Sequence, residues 1–123
     1  RLVRKLCPHC KKEMRLSSEN HEKIKAALSN LNEGDIPLLK KEMVVYEGGS
    51  CAECGTTGYK GRIGVFEGFL MTERMEKLTL TNPPLSDIEK LATEEGMVTM
   101  LQDGYMKALK GITSLSEIER VLG

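Results

Sequence analysis

In the second half of the chain, apolar residues recur three or four positions apart, the spacing that lines one face of an α-helix. Four helices are predicted after residue 70, each with a hydroxyl residue suited to N-capping at its start. The predicted caps are Thr72, Ser86, Thr99 and Ser114. The residues expected to face inward are Met71, Met75, Leu78, Leu85, Ile88, Leu91, Ala92, Leu101, Tyr105, Ala108, Leu109, Leu115, Ile118, Val121 and Leu122.

The first half has a more mixed pattern. Ser17 or Ser18 is expected to cap a helix that runs to about Leu31. The remaining predicted elements are a short helix carrying Leu38, Leu39 and Met43, a strand over Met43–Tyr46 and a strand over Arg62–Leu70. Glu67 interrupts the apolar alternation of that last strand, so it is expected to be an edge residue or an ion-pair partner of Arg62.

All four cysteines lie in two Cys-x-x-Cys pairs, Cys7 with Cys10 and Cys51 with Cys54. Each pair places two thiolates on one tight turn, and two such turns complete a four-sulfur shell with no open position, as in structural zinc sites. Two disulfides and a redox dithiol are the alternatives, but a redox pair leaves the second pair unexplained. The favoured interpretation is structural Zn²⁺ with these four cysteines as ligands, and His9 as a solvated turn residue.

These patterns predict an α+β fold in two parts. A small zinc-knuckle lobe of short strands and helices is expected over residues 1–70, followed by a helical C-terminal subdomain over residues 71–123. Because a helical piece of about 50 residues buries little surface alone, it is expected to pack on the zinc lobe or on another partner.

The amino-acid composition narrows the range of possible partners. Basic and acidic residues balance at 18 each, and the chain has few aromatic residues and no Trp. A base-stacking platform is therefore poorly supported, and no nucleic-acid partner is expected. The first 15 residues are nevertheless locally basic, and lysines there are candidates to offset the charge of a thiolate cluster.

Catalytic machinery is not evident in the sequence. The glycines at 55, 58, 61 and 64 do not form a phosphate-binding motif, so turn geometry is the favoured explanation for them. Asp103 is expected to be a solvated helix residue. No catalytic or nucleotide-binding residue is therefore predicted, and the chain is not expected to be an enzyme by itself.

Three stretches carry a family resemblance. Arg1-Leu2-Val3-Arg4 leads into Cys7-Pro8-His9-Cys10. Cys51-x-x-Cys54 is followed by Gly58-Tyr59-x-Gly61-Arg62-Ile63-Gly64-x-x-Glu67. Leu101-x-Asp103-Gly104 leads into Gly111-Ile112-Thr113-Ser114-Leu115. In order and spacing this series resembles the C-terminal region of the type II secretion and type IV pilus assembly ATPases, namely their tetracysteine zinc subdomain and helical tail. Where family members commonly have a glycine two residues after the last cysteine, this chain has Thr56, which bears on the shape of that turn.

The resemblance implies a larger protein of which this chain is a fragment. That protein would be a hexameric cytoplasmic ATPase, peripheral at the inner membrane, that drives secretion or pilus assembly through a platform protein. ATP and Mg²⁺ would bind Walker motifs in a RecA-like core absent from this chain, and the final helix of that core would supply Arg1–Leu6. The expected partners are that core, the other subunits of the hexamer and the platform proteins. A free-standing zinc-ribbon adaptor, binding protein or nucleic acid through its basic stretch, is the alternative.

Overall fold

The computed structural model describes residues 1–31 and 44–123, and these residues form an α+β fold, as predicted. The strands are β1 (Leu2–Leu6), β2 (Lys12–Arg15), β3 (Val44–Glu47) and β4 (Tyr59–Gly64). The helices are α1 (Ser18–Leu28), α2 (Glu73–Thr79), α3 (Leu85–Glu94), α4 (Met100–Leu109) and α5 (Leu115–Leu122). The predicted short helix with Leu38, Leu39 and Met43 lies outside the described residues.

The strands form two antiparallel pairs. β1 pairs with β4, with Val3 opposite Ile63, and β2 pairs with β3, with Met14 opposite Val45. The expectation that Arg1–Leu6 ends a helix is therefore wrong. Six residues are too few for periodicity to separate helix from strand, and pairing with β4 decides the conformation.

The strand predicted over Arg62–Leu70 is displaced. β4 begins at Tyr59 and ends at Gly64. Val65 still donates its N–H to the Arg1 carbonyl at 2.8 Å, and the two residues after it bond to helix α4. The Phe66 N–H donates to the Asp103 carboxylate at 3.0 Å, and the Glu67 carboxylate accepts from the Met100 N–H at 3.0 Å.

These contacts change the role of both acidic residues. Glu67 caps the start of α4, where its charge also suits the positive end of the helix dipole, instead of pairing with Arg62. Asp103 is not simply solvated, since it holds the Phe66 backbone and an ion pair with Lys107 at 2.5 Å.

Hydroxyl caps begin most of the helices where the sequence predicts them. Ser17, Thr72, Thr99 and Ser114 each accept a hydrogen bond from a backbone N–H of the first turn. The cap predicted at Ser86 is wrong, because α3 already begins after Pro84, whose fixed φ suits a helix start. The first helix ends at Leu28, three residues earlier than expected.

The inward-facing residues are largely those predicted. The exceptions are Met71, Leu85 and Leu101, which are exposed. Each stands at or just before the first turn of its helix, where the chain has not yet entered the packed part of the structure. The periodicity therefore predicted the middle of the apolar face of each helix correctly, but extended that face too far towards the N-terminus of the helix.

The main core joins the cysteine-bearing half to the C-terminal helices. It draws buried residues from β1, α1, β3, α4 and α5, together with Val65: Val3, Ile24, Leu28, Val45, Val65, Tyr105, Ala108, Leu109 and Ile118. A second, small cluster holds α2 against α3 and consists of Met75, Leu91 and Ala92. The division of the chain at residue 70 into a zinc lobe and a helical subdomain stays a prediction. The main core takes residues from both sides of residue 70.

Glu117 places a charge inside this fold. Its side chain is fully buried and bonds to two arginines, Arg4 on β1 at 2.7 Å and Arg120 one turn further along α5. The Arg4 guanidinium also lies 4.2 Å from the ring centroid of Tyr59. Burial opposes ionisation, but the hydrogen bonds from Arg120 and Arg4 outweigh it and hold the pKa of Glu117 below its ordinary value.

Replacing Glu117 by Gln is expected to lower the free energy of unfolding at neutral pH by about 1.5–3 kcal/mol, the worth of charge-assisted hydrogen bonds. The two arginines are half exposed, so water solvates them in the variant and no buried charge is stranded. Because the folded-state pKa of Glu117 is lowered, the advantage over the variant is fully present above the unfolded-state pKa of about 4.3 and is lost as pH falls through the lower folded-state pKa. Urea unfolding across this range measures it.

Glu119→Gln is the matched control. Glu119 lies on the same helix but is exposed and paired only with Lys23 at 3.6 Å, so its loss is expected to cost less than about 0.5 kcal/mol. Equal losses in the two variants would contradict a special role for the buried carboxylate.

Candidate metal centre

Each cysteine pair occupies a tight turn closed by backbone hydrogen bonds. In the first, the Lys11 N–H donates to the Cys7 carbonyl at 3.1 Å. In the second, a single 3₁₀ turn over Ala52–Cys54 is followed by Gly55 in the left-handed conformation, with φ of 61°. Glycine adopts this conformation without steric cost, as expected from the sequence.

The four sulfur atoms lie within 4.8 Å of one another. Cys7 and Cys51 are 3.7 Å apart, Cys10 and Cys54 are 3.7 Å apart, and Cys51 and Cys54 are 3.6 Å apart. Zn–S bonds of about 2.3 Å at tetrahedral angles separate neighbouring sulfurs by about 3.8 Å. A disulfide needs about 2.05 Å, so these distances fit a shared metal ion and not bonded pairs.

The backbone around the second turn faces the sulfurs. The Gly58 N–H donates to the Cys54 sulfur at 3.2 Å, and the Gly58 carbonyl accepts from the Cys7 N–H at 2.9 Å. Gly58 thus connects the two turns through its own backbone. Donation to sulfur stabilises thiolate charge, as metal-bound cysteines require.

Gly49 allows the segment before Cys51 to approach the first turn. A Cβ at this position would stand 2.5 Å from the Cys10 carbonyl oxygen, which is closer than atoms can pack. This close approach depends on the pairing of the two cysteine turns, which local sequence does not contain.

Without a bound cation, two of the thiols have very different pKa values. Burial, together with the neighbouring sulfurs of Cys51, Cys54 and Cys7, raises the pKa of Cys10 to about 12. Burial also acts on Cys54, but hydrogen bonds at the Cys51 and Gly58 backbone outweigh it and lower the pKa of Cys54 to about 6. Four thiolates cannot share this space unless a cation replaces their protons, so metal binding here releases protons.

The cluster is anchored to the C-terminal helices. Leu6, next to Cys7, donates its N–H to the Ile112 carbonyl at 2.9 Å, and the Lys11 Nζ donates to the Gly111 carbonyl at 3.1 Å. Lys11 also lies 5.0 Å from the ring centroid of Tyr46. Sequence inspection offered Lys11 as a counter-charge and missed this link to the turn between α4 and α5.

His9 is exposed on the first turn, in agreement with the prediction. Within residues 1–31 and 44–123, the group able to hold a metal ion consists of cysteines alone. In those same ranges, no helix is long and apolar enough to cross a bilayer.

Fold and cluster together define the class: a small α+β domain whose two Cys-x-x-Cys turns form one tetracysteine group. The chain belongs to the family described as Type II/IV secretion system protein, whose sequence model matches residues 1–120. This finding agrees with the family resemblance of the three motif stretches.

Named relatives fall into the two branches of that resemblance. The chain is 34% identical to the type IV pilus assembly ATPase PilB of Thermus thermophilus, over 96% of this chain and 12% of the relative. It is 36% identical to PilB of Pseudomonas aeruginosa, over 98% and 20%, and 32% identical to type II secretion system protein E of Klebsiella pneumoniae, over 98% and 22%. The chain therefore spans about a fifth or less of the length of most of these relatives.

Thr56 adopts the left-handed conformation that a glycine would favour, with φ of 66°. Thr56 therefore carries a steric cost of about 1–2 kcal/mol, because it has a Cβ in this conformation. Glycine loses about 0.5–1 kcal/mol more chain entropy on folding. Thr56→Gly is thus expected to raise the free energy of unfolding by up to about 1 kcal/mol, measured by denaturant unfolding at saturating zinc.

Thr56→Ala is the control for this substitution. Alanine keeps the Cβ and therefore the strain, so its stability is expected to stay within about 0.5 kcal/mol of the parent chain. A gain in the alanine variant equal to that in the glycine variant would show that backbone strain is not the cause.

Proposed function

We propose that this chain is the zinc-binding C-terminal accessory region of a secretion or pilus assembly ATPase, with Cys7, Cys10, Cys51 and Cys54 as the ligands of one Zn²⁺. The observation that carries the proposal is the pair of 3.7 Å sulfur separations that join cysteines of two distant turns, Cys7 to Cys51 and Cys10 to Cys54. An all-thiolate set favours soft or borderline metals, and zinc is the usual tetrahedral occupant.

The role of the metal is structural. Four protein ligands leave a tetrahedral ion no position for water or substrate, so the ion has no catalytic function. When bound, zinc supplies a divalent cross-link between the two turns. Four thiolates on one Zn²⁺ leave a charge of −2, and the bond from Gly58 to Cys54 disperses part of it.

The whole protein would be an ATPase. Several relatives are named as pilus assembly ATPases, and most of their length lies outside the matched region. We infer that ATP and Mg²⁺ bind in a RecA-like core beyond this chain, and that this region hydrolyses no ATP. Its partners would be that core, neighbouring subunits of a hexamer and inner-membrane platform proteins, in a cytoplasmic complex peripheral to the inner membrane.

The architecture supports an interaction role. The metal cluster is bonded to the α4–α5 turn through Leu6 and Lys11, so zinc would hold a surface in place for other proteins. The match to the family over residues 1–120 favours this role over a free-standing adaptor.

The purified chain is expected to bind one zinc ion per molecule, as measured by inductively coupled plasma mass spectrometry. Cys51→Ser is expected to reduce zinc to well below one equivalent and to increase hydrogen exchange across β3, β4 and the α4–α5 turn. The α2–α3 pair has its own apolar cluster and should retain its protection.

Because protons compete for the thiolates, zinc affinity should fall as pH drops from 8 towards the pKa of Cys54, about 6.

His9→Asn provides the control, since it alters the remaining conventional ligand of the first turn and should leave the zinc content at one. Loss of zinc in this variant would show that the cysteines do not suffice. A metal-free chain, isolated without chelator from zinc-supplemented culture, would contradict the proposed function.

A further inference from the structure

A lysine cleft lies beside the first cysteine turn. It opens between β1, β4 and the turn that follows α4, with a volume of about 470 Å³. Four of the residues around it are lysines contributed by separate parts of the chain. The lining residues are Lys5, Leu6, Pro8, Lys11, Lys60, Lys110, Gly111 and Ile112.

The positive charge of the cleft is poorly compensated. Among the residues that the structure describes, no carboxylate belongs to the lining, and Lys60 reaches Glu53 only at 3.8 Å, with both side chains more than half exposed. Across the described ranges, no carboxylate lies within ion-pair distance of Lys5 or Lys110. Like charges gathered around one concavity raise the local potential and attract anions, although the whole chain is neutral.

The chemistry of the lining favours carboxylates over phosphate. Phosphate is commonly bound by forked arginines or helix N-termini, and neither belongs to the described part of this lining. The lysines are point charges on flexible stems, and they surround apolar surface from Leu6, Pro8 and Ile112. Spaced carboxylates with apolar side chains between them match such a surface.

We propose that the lysine cleft docks an acidic peptide segment with interleaved apolar side chains, supplied by a partner protein. This inference rests on the interaction role in the proposed function and gives it a site. The cleft shares Lys11 and Gly111 with the bond that ties the first cysteine turn to the α4–α5 turn. A docked segment would therefore contact both the cysteine-bearing half of the chain and the α4–α5 turn.

The test uses the zinc-loaded chain and a short fluorescein-labelled peptide of alternating glutamate and leucine, followed by fluorescence anisotropy. The Lys5→Glu/Lys110→Glu variant is expected to bind at least about tenfold more weakly, because attraction becomes repulsion in the cleft. The milder Lys5→Gln/Lys110→Gln variant should also weaken binding, and it covers the case in which the reversal impairs folding. A glutamine–leucine peptide should not bind.

Lys25→Glu/Lys90→Glu is the matched control, with the same change in net charge at exposed sites outside the cleft. It should change the affinity by less than about twofold, since separated surface charges are screened by salt. Equal weakening in both double variants would overturn the proposal, because the attraction would then be general.

Two further results would overturn it. In the first, inorganic tripolyphosphate or vesicles containing phosphatidylglycerol bind the chain and lose that binding when Lys5 and Lys110 are replaced, while the peptide does not bind. The cleft would then be a phosphate or lipid site. Peptide binding unchanged in both cleft variants would remove the site altogether. Zinc content measured on the same samples keeps the outcomes separate: one zinc with no peptide binding refutes the docking site and leaves the proposed function standing.

Discussion

The approach of two cysteine turns is the constraint on which the rest of the structure depends. Cys7 and Cys51 are 44 residues apart along the chain and 3.7 Å apart in space. Closing a loop of that length costs about 3 kcal/mol of chain entropy, whereas structural zinc sites contribute on the order of 10–16 kcal/mol in small peptides. The free energy that a bound zinc ion can supply is therefore larger than the entropic cost of bringing the two turns together. The strands β1 and β4 and the segment before Cys51 are arranged around these turns.

Charged side chains perform a second task in this fold, which is to hold backbone where regular pairing stops. Glu67 and Asp103 exchange bonds between the segment after β4 and helix α4, each accepting from a backbone N–H of the other's segment. Glu117 instead joins two distant parts of the chain through a side-chain ion pair with Arg4. Within the ranges described, no buried side-chain nitrogen or oxygen lacks a hydrogen-bond partner. The polar interior is therefore satisfied, which keeps its energetic cost low.

Local patterns were sufficient for what depends on neighbouring residues. The four hydroxyl caps and the middle of each helical stripe follow from side chains within one turn of each other, and the cysteine spacing predicted the four-sulfur group. Several of the failures concern residues whose partners are distant. Arg1–Leu6 is a strand because β4 lies beside it, and Glu67 and Asp103 owe their roles to residues more than 30 positions away. Glu117 lies in the first turn of a predicted helix, and only its contact with Arg4 reveals it as a buried ion-pair centre.

The contact between Arg4 and Glu117, 113 residues apart in sequence, has a consequence for biosynthesis. On the ribosome, both cysteine turns emerge well before α5, so the sulfurs can meet a metal ion while the main core is still incomplete. Strand β1 must then wait with Val3 uncovered until Ile118 and Glu117 arrive. Long-range contacts of this kind slow folding, and exposed apolar strands invite aggregation. An early metal cross-link would protect the chain during this wait, because it holds β1 next to β4 before the last helix is made.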